Sequence, residues 1–317
     1  MSTTTIDEAR TRGRKRRRRR RPRQILREMR REWTAYLFLS PGLILFFVFF
    51  LFSLAFSFYL SFHQWDILNP AKPYVGLDNY RELRHDPYFR TALVNTFWFT
   101  FWSVPLSIAA GLAIALLLNR QIRVRGLFRT LFYLPVVTPL IVSALIWKWV
   151  YNGDFGLANY YLEKLHLIHH PIEWLSDPNL AMPSVIVMSI WTRVGFCMVV
   201  YLAGLQAIPE EYYEAARVDG ASSWRQFRHI TLPLLGPSTF FLFVLTIIQS
   251  WQVFDQIFVM TGGGPLRATT TVVYYIWQTG FQQFTMGYAA AVAYTLFAII
   301  FVFTMLQVWY WNRQANY

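Results

Sequence analysis

The 317-residue chain is poor in cysteine and in charged residues. Its single cysteine, Cys197, excludes an intrachain disulfide and leaves the redox compartment open. Charged residues make up 15% of the sequence, whereas 55% of the residues are hydrophobic and 19% are aromatic. This composition is too apolar for an ordinary soluble protein of the same length. The shortage of charge therefore indicates a protein that lies in a lipid bilayer.

Motifs that carry chemistry are missing as well. The sequence contains no Gly-x-x-x-x-Gly-Lys-Ser/Thr loop, so we do not predict that this chain hydrolyses ATP itself. His166, His169 and His170 lie close together, but no matched acidic or cysteine cluster accompanies them, and we predict no metal site. A membrane enzyme would need a reactive cluster, and the sequence shows none.

Long apolar runs are abundant. Six of them are long enough to cross roughly 30 Å of hydrocarbon, at about residues 36–62, 92–118, 127–151, 181–206, 234–260 and 285–311. The sequence therefore predicts an all-α integral membrane protein with six transmembrane helices. The first run exceeds the core of a signal peptide and no small-residue cleavage site closes it, so we expect it to be retained. Pro135 and Pro139 predict a kink in the third helix, without a ligand role of their own.

Basic residues are unevenly distributed. The chain has 30 Lys and Arg against 17 Asp and Glu, a formal net charge of +13. The basic residues concentrate in the first 31 positions, in the second connection, in the loop 207–233 and after the last apolar run. Because Lys and Arg in short loops are retained on the inner side of the membrane, we predict that both termini and the loop 207–233 are cytoplasmic.

The N-terminal segment 1–33 includes an unbroken basic run at positions 14–21. This run lacks interleaved aromatics and a folded reader domain, so we reject nucleic acid as a partner. It directly precedes the first apolar run, where basic residues fix topology and attract anionic lipid. We predict a disordered segment on the inner surface of the membrane, followed by a transmembrane domain at 34–317.

The loop 207–233 carries the most specific pattern. Pro209 to Val218 predicts a short helix that stops at Asp219-Gly220. Ser222 and Ser223 are candidate caps of a second short helix, which is too short to be stable alone and therefore favours docking into a partner. The residues that we expect at the docking surface are Glu214, Ala215, Ala216, Asp219, Gly220, Ile230, Leu232 and Pro233.

The spacing Glu-Ala-Ala, Gly220, Ile-x-Leu-Pro resembles the signature loop, or EAA motif, of permease subunits in binding-protein-dependent ABC importers, in particular the carbohydrate-uptake, maltose-type permeases. The segment 75–80 and the turn Thr261-Gly262-Gly263-Gly264-Pro265 extend this resemblance, which runs from about residue 33 to the C-terminus. It implies the type I ABC importer permease fold in the cell membrane, with the loop as the coupling helix that enters a cleft of the ATPase.

The resemblance also implies partners. These are a second homologous permease subunit, two ABC ATPase subunits that use ATP and Mg²⁺, and an extracellular solute-binding protein. The chain itself is expected to bind no cofactor and to have no catalytic residue. A secondary transporter, the alternative class, would leave the loop motif unexplained.

Polar residues inside the apolar runs are the candidate substrate contacts, because a polar group in hydrocarbon is costly and tends to face a cavity. Amides, hydroxyls and aromatic faces suit a neutral sugar. The resemblance, together with the polar stripe on the fifth helix, places the contacts at Arg193, Phe196, Thr246, Gln249, Ser250 and Gln252. Three alternatives stay open: hydrogen bonds to the second permease, an anionic substrate such as glycerol-3-phosphate on Arg193, or an Arg193–Asp255 bridge.

Overall fold

A computed structural model describes residues 33–120 and 123–314. Most of the predicted N-terminal basic segment lies outside the described residues. The chain divides into two compact units between Phe56 and Ser57, and each is described by itself.

The first unit is helical throughout its described part. A helix over Trp33–Leu45 continues through π-helical turns at Phe46–Phe52 into the helix Ser53–Leu60, whose residues from Ser57 onward belong to the second unit in the sequence. The apolar segment Tyr36–Leu60 is long enough to cross a membrane. It is called span 1 below.

The second unit contains the other spans. Three continuous helices are long and apolar enough to cross a membrane: span 2 (Pro87–Asn119), span 4 (Ala181–Gln206) and span 6 (Met286–Gln314). Two bent pairs qualify if each pair counts as one crossing. Arg125–Val137 with Leu140–Val150 is called span 3, and Ser223–Leu234 with Gly236–Trp251, together with the following helix Asp255–Met260, is called span 5. With both pairs counted, the six predicted transmembrane helices are confirmed.

Shorter helices connect the spans. They are Asp78–His85, Leu157–Lys164, Glu210–Val218, Ser223–Gln226, Leu232–Leu234, Asp255–Met260 and Val272–Trp277, with π-helical turns at Phe227–Thr231 and Gln278–Gln282. Between the described residues the β pairing consists of isolated bridges, His63 with Tyr74 and Asp66 with Thr285.

Span 3 is sharply bent at its second proline. Its halves, Arg125–Val137 and Leu140–Val150, meet at 100°. Pro139 has no amide hydrogen, and its ring disfavours the helical conformation of the residue before it. Thr138 accordingly adopts an extended backbone with φ −75° and ψ 131°. The predicted kink is therefore present, and it is a change of direction rather than a gentle bend.

Span 5 is less continuous than its apolar sequence predicts. The helix Gly236–Trp251 ends at Gln252, and helical structure resumes only at Asp255–Met260. Phe254 between them has φ −140° and ψ −58°. Thr271 Oγ1 donates a hydrogen bond of 3.0 Å to the Val253 carbonyl, which satisfies one backbone acceptor at the break.

Span 4 lies at the centre of the second unit. More of its residues are buried than in any other span, and it packs against spans 2, 3 and 5. A Cβ at Gly195 would lie 2.1 Å from the Phe132 carbonyl oxygen of span 3. Only glycine permits this approach, so Gly195 sets the distance between the two helices.

Candidate functional site

A cavity of about 500 Å³ lies between spans 3, 4 and 5. Its size is within the range of small-molecule sites. Five of the six predicted substrate contacts form part of its wall: Arg193, Phe196, Thr246, Gln249 and Gln252. Pro135, which precedes the bend of span 3, is also in the wall. The structure thus brings together residues that the sequence places on separate helices.

The sixth predicted contact, Ser250, lies behind the wall. It is fully buried, and its Oγ accepts a hydrogen bond of 2.5 Å from Arg193 Nη1. The same nitrogen lies 3.5 Å from Ser103 Oγ of span 2. The guanidinium carbon of Arg193 lies 5.7 Å from the ring centre of Phe99. Ser250 therefore positions Arg193 in this structure and does not reach the cavity itself.

Arg193 has no carboxylate at ion-pair distance in the part of the chain that the structure describes. The bridge to Asp255 that the sequence left open is therefore not formed. Asp255 instead lies in the wall of the same cavity, on the short helix after the break in span 5. The cavity wall consequently carries one cationic and one anionic side chain, at separate places.

Most of the remaining polar wall comes from span 5, and Thr138 of span 3 and Thr192 of span 4 add a hydroxyl each. Gln249 and Gln252 are exposed to the cavity side of the helix. Thr246 is 1% exposed, and its hydroxyl donates to the Leu242 carbonyl at 2.6 Å. Its hydroxyl oxygen still has acceptor capacity. Gln256, which the sequence-based site left out, is a further amide of the wall.

The loop 207–233 forms two short helices joined by a tight turn, as its sequence predicts. Glu210–Val218 follows the extended residue Pro209. Gly220 has φ +74°, and the Ala221 amide donates 2.8 Å to the Ala216 carbonyl. This is the geometry of a Schellman C-cap, which favours glycine because of the positive φ. Ser222 then caps the second helix by accepting from the Arg225 amide at 3.4 Å.

The two arms of the loop are tied together. Tyr213 and Thr231 share a hydroxyl hydrogen bond of 2.9 Å, and Gln226 Nε2 donates 3.0 Å to the Ala221 carbonyl. Of the residues expected at the docking surface, six are exposed and two are partly buried, Ala216 and Ile230. Val218 and Trp224 are exposed by 88% and 68%. The loop is a preformed and largely uncovered surface.

The glycine-rich segment after span 5 forms a turn, as expected, and threonines hold it. Thr270 Oγ1 donates 2.9 Å to the Gly263 carbonyl, and Thr269 Oγ1 donates 2.6 Å to the Gly264 carbonyl. Asn95 of span 2 donates to the Thr270 carbonyl at 3.0 Å. The turn is therefore fixed to its own flank and to span 2.

One polar cluster escaped prediction. Asp86 caps the start of span 2, accepting 2.8 Å from the Tyr88 amide, and its other oxygen accepts 2.5 Å bonds from the hydroxyls of Tyr275 and Tyr288. Burial opposes ionisation of this carboxyl, but the hydrogen bonds from the two tyrosines and from the backbone outweigh burial and lower the pKa of Asp86. Asp followed by Pro ahead of an apolar run is a typical N-cap pattern that could have indicated the role of Asp86 in the helix, whereas nothing local links Asp86 to the tyrosines.

A helical membrane fold with a polar cavity and an exposed two-helix loop is consistent with a membrane transport component, and similarity to known proteins identifies the family. Residues 103–314 match the family described as "Binding-protein-dependent transport system inner membrane component". The trehalose/maltose transport system permease protein MalF of Thermococcus litoralis is 36% identical over 86% of this chain and 91% of its own length. The sn-glycerol-3-phosphate transport system permease protein UgpA of Agrobacterium fabrum is 31% identical over 89% of this chain and 96% of its own.

A solved structure supports the same family assignment. A chain from the crystal structure of a bacterial ABC transporter involved in the import of the acidic polysaccharide alginate superposes with a TM-score of 0.81 at 25% identity, over 92% of this chain and 99% of that chain. The chain described here belongs to the family of inner membrane components of binding-protein-dependent transport systems. It is a multi-pass membrane protein with the type I ABC importer permease fold.

Proposed function

We propose that this chain is one of two permease subunits of an ATP-driven importer of a sugar or oligosaccharide. The observation that carries the substrate class is the cavity wall. Arg193 and Asp255 contribute opposite charges that are not paired with each other, and Gln249, Gln252 and Gln256 contribute amides. A wall without net charge and with many hydrogen-bonding groups suits a neutral polyhydroxyl ligand, and Phe196 offers an apolar face to its C–H groups.

Energy enters through the loop 207–233 in this proposal. Its two tied helices dock into an ATPase subunit, and closure of two such subunits on ATP and Mg²⁺ switches the cavity from inward-facing to outward-facing. The second permease completes the translocation pathway. The exposed residues from Glu214 to Pro233 support this assignment, because a protein partner would cover them. Both termini and the loop would then be cytoplasmic.

A solute-binding protein delivers the sugar from the opposite side. The surface proposed for it lies on the side of residues 63–90, 152–180 and 261–284, the last of which begins with the glycine-rich turn. The family name supports a binding protein as partner, and a related alginate transporter has been crystallised with a periplasmic protein that holds an alginate pentasaccharide.

Glycerol-3-phosphate is the second candidate. Arg193 supports it, because this cation has no carboxylate partner among the described residues, and the relative UgpA is a permease protein of an sn-glycerol-3-phosphate transport system. A guanidinium binds phosphate in bidentate fashion. Asp255 in the same wall argues against it, since a carboxylate repels a phosphate.

The test is a substrate panel on the complete assembly. The purified complex with its ATPases and binding protein is reconstituted into liposomes, and ATP-dependent uptake of maltose, trehalose, lactose, arabino-oligosaccharides and glycerol-3-phosphate is measured. We expect uptake of at least one sugar. Uptake of glycerol-3-phosphate alone would replace the proposal by its alternative.

A further inference from the structure

The break in span 5 gives the cavity an additional stretch of wall. Helical structure stops at Trp251 and resumes at Asp255, so the first residues after the break belong to the cavity as well as those before it. The break is held from outside the cavity by the hydrogen bond from Thr271 to the Val253 carbonyl. Asp255 and Gln256 are therefore placed by a fixed backbone feature and not by a mobile loop.

Gln256 is an unusual member of this wall. It is 2% exposed, and its Nε2 donates to Ser189 Oγ at 3.4 Å, a long and weak hydrogen bond. Its Oε1 accepts no hydrogen bond from any described residue. A buried amide oxygen without a donor is unfavourable, and such groups are rare in native proteins. The last torsion of a glutamine is soft, so this oxygen can turn toward the cavity without a movement of the helix.

Other buried oxygens without partners lie elsewhere. Gln307 Oε1, Thr100 Oγ1 and Ser143 Oγ also take part in no hydrogen bond among the described residues, but none of these residues is in the wall of this cavity. Gln256 thus combines an unpaired acceptor with a place in the site. An acceptor in this position calls for a donor supplied by the ligand.

We propose that Gln256 contacts the substrate directly, and that its Oε1 accepts a hydrogen bond from one hydroxyl group of the sugar. The proposal deepens the proposed function and rests on it. Arg193 has only donors, so Arg193 and Gln256 together recognise one acceptor and one donor of the ligand and fix its orientation. A site built to bind a hydroxyl discriminates against the analogue that lacks it.

The experiment compares deoxy sugars. The sugar that the unmodified assembly transports best in the panel above is replaced by analogues that each lack one hydroxyl, and uptake by the unmodified, Gln256→Met and Thr100→Val assemblies is measured. Gln256→Met and Thr100→Val both replace a polar side chain with an apolar one of similar size. Because the binding protein is the same throughout, the ratio of variant to unmodified uptake isolates the permease.

We expect Gln256→Met to reduce uptake of the parent sugar about tenfold, the loss of one hydrogen bond. For one deoxy analogue the unmodified and Gln256→Met assemblies should transport equally, and Thr100→Val should match the unmodified assembly with every sugar. If Gln256→Met does not assemble, Gln256→Asn serves instead, because it withdraws the amide by one methylene and predicts the same pattern.

Two results would overturn the proposal while leaving sugar transport intact. In the first, the Gln256→Met assembly takes up the parent sugar at the rate of the unmodified assembly and still distinguishes it from every deoxy analogue to the same extent. The other is a uniform loss with the parent and every analogue, which would assign Gln256 to structure alone. Absence of sugar uptake by the unmodified assembly would refute the proposed function before any variant is tested.

Discussion

At the scale of single residues, Arg193 has the largest consequence for substrate class. A cation in a membrane span costs at least about 2.5 kcal/mol on insertion scales unless partners or water offset it. Ser250 and the ring of Phe99 offset only part of this, since neither carries a charge. The remaining hydrogen-bonding capacity of the guanidinium points to a ligand with several acceptors.

Replacing Arg193 by glutamine separates the two substrate classes. With a neutral sugar we expect uptake to fall roughly tenfold or less, because an amide still donates to hydroxyl oxygens. With glycerol-3-phosphate we expect a loss on the order of 100-fold, because a bidentate charge-assisted contact disappears.

Uptake of both compounds is measured, with Lys148→Gln as the control. Lys148 donates to the Val259 carbonyl outside the cavity wall. Unchanged uptake by Arg193→Gln would contradict the proposed site.

Asp86 provides a prediction about stability and pH. Its pKa is lowered in the folded protein, so the carboxylate stabilises the fold above its ordinary value of 3.8 and this contribution is lost as the pH falls through the lower folded value. We expect Asp86→Asn to lower the melting temperature at pH 7 and the difference from the unmodified protein to shrink below pH 3.8. Thermal unfolding in detergent measures both.

The matched control for Asp86 is Asp78→Asn. Asp78 pairs with Arg81 at 2.8 Å, but both side chains are mostly exposed, and exposed pairs contribute little. A melting temperature at pH 7 that fell equally in both variants would show that general surface charge, and not the link to Tyr275 and Tyr288, stabilises this end of span 2.

At the scale of elements, the sequence predicted what depends on local signals. Span 4 has the predicted ends, Ala181 and Gln206, because apolar residues fill it and Pro209 follows shortly after. The bend of span 3 is marked by Pro139. The break at Gln252–Phe254 carries no proline or glycine, so no local signal announced it. Gln256 recurs at helical spacing with Gln249 and Gln252, but the predicted site ended at Gln252, and the structure extends the cavity wall past the break to Gln256.

The tight turn of the loop 207–233 is testable through Gly220. Proline cannot adopt the positive φ of this residue, whereas asparagine tolerates it. We expect Gly220→Pro to insert and assemble but to lose transport and substrate-stimulated ATP hydrolysis, and Gly220→Asn to retain both. Uptake and ATPase activity are measured in parallel. A Gly220→Pro complex that bound its ATPase and transported at the unmodified rate would show that this loop is not the coupling element.

At the scale of the whole molecule, the unpredicted contacts are those that join distant parts of the chain. The hydrogen bonds that Tyr275 and Tyr288 donate to Asp86 connect the segments before and within span 6 to the start of span 2. The sequence indicated that each of these segments exists and roughly where it ends. Which side chains meet across them depends on how the helices pack, and packing has no local signature.

The orientation in the membrane gives the last prediction. Cys197 is the single cysteine and is buried, so Cys197→Ala provides a background without thiols. New cysteines at Val218 and Leu266, which are 88% and 89% exposed, report on opposite sides. In intact cells that express this permease without the ATPase that would cover the loop, an impermeant maleimide should label Leu266→Cys and should reach Val218→Cys only after permeabilisation. The reverse pattern would invert the proposed topology.

The hydrogen bond from Thr271 to the Val253 carbonyl has a mechanical consequence. Thr271 directly follows the threonines that hold the glycine-rich turn, and Val253 is in the wall of the cavity. A displacement of the turn therefore either breaks this hydrogen bond or displaces Val253 as well. A protein that binds the turn from outside would therefore act on the cavity wall through this one hydrogen bond. Binding at the turn would then change the shape of the cavity at Val253.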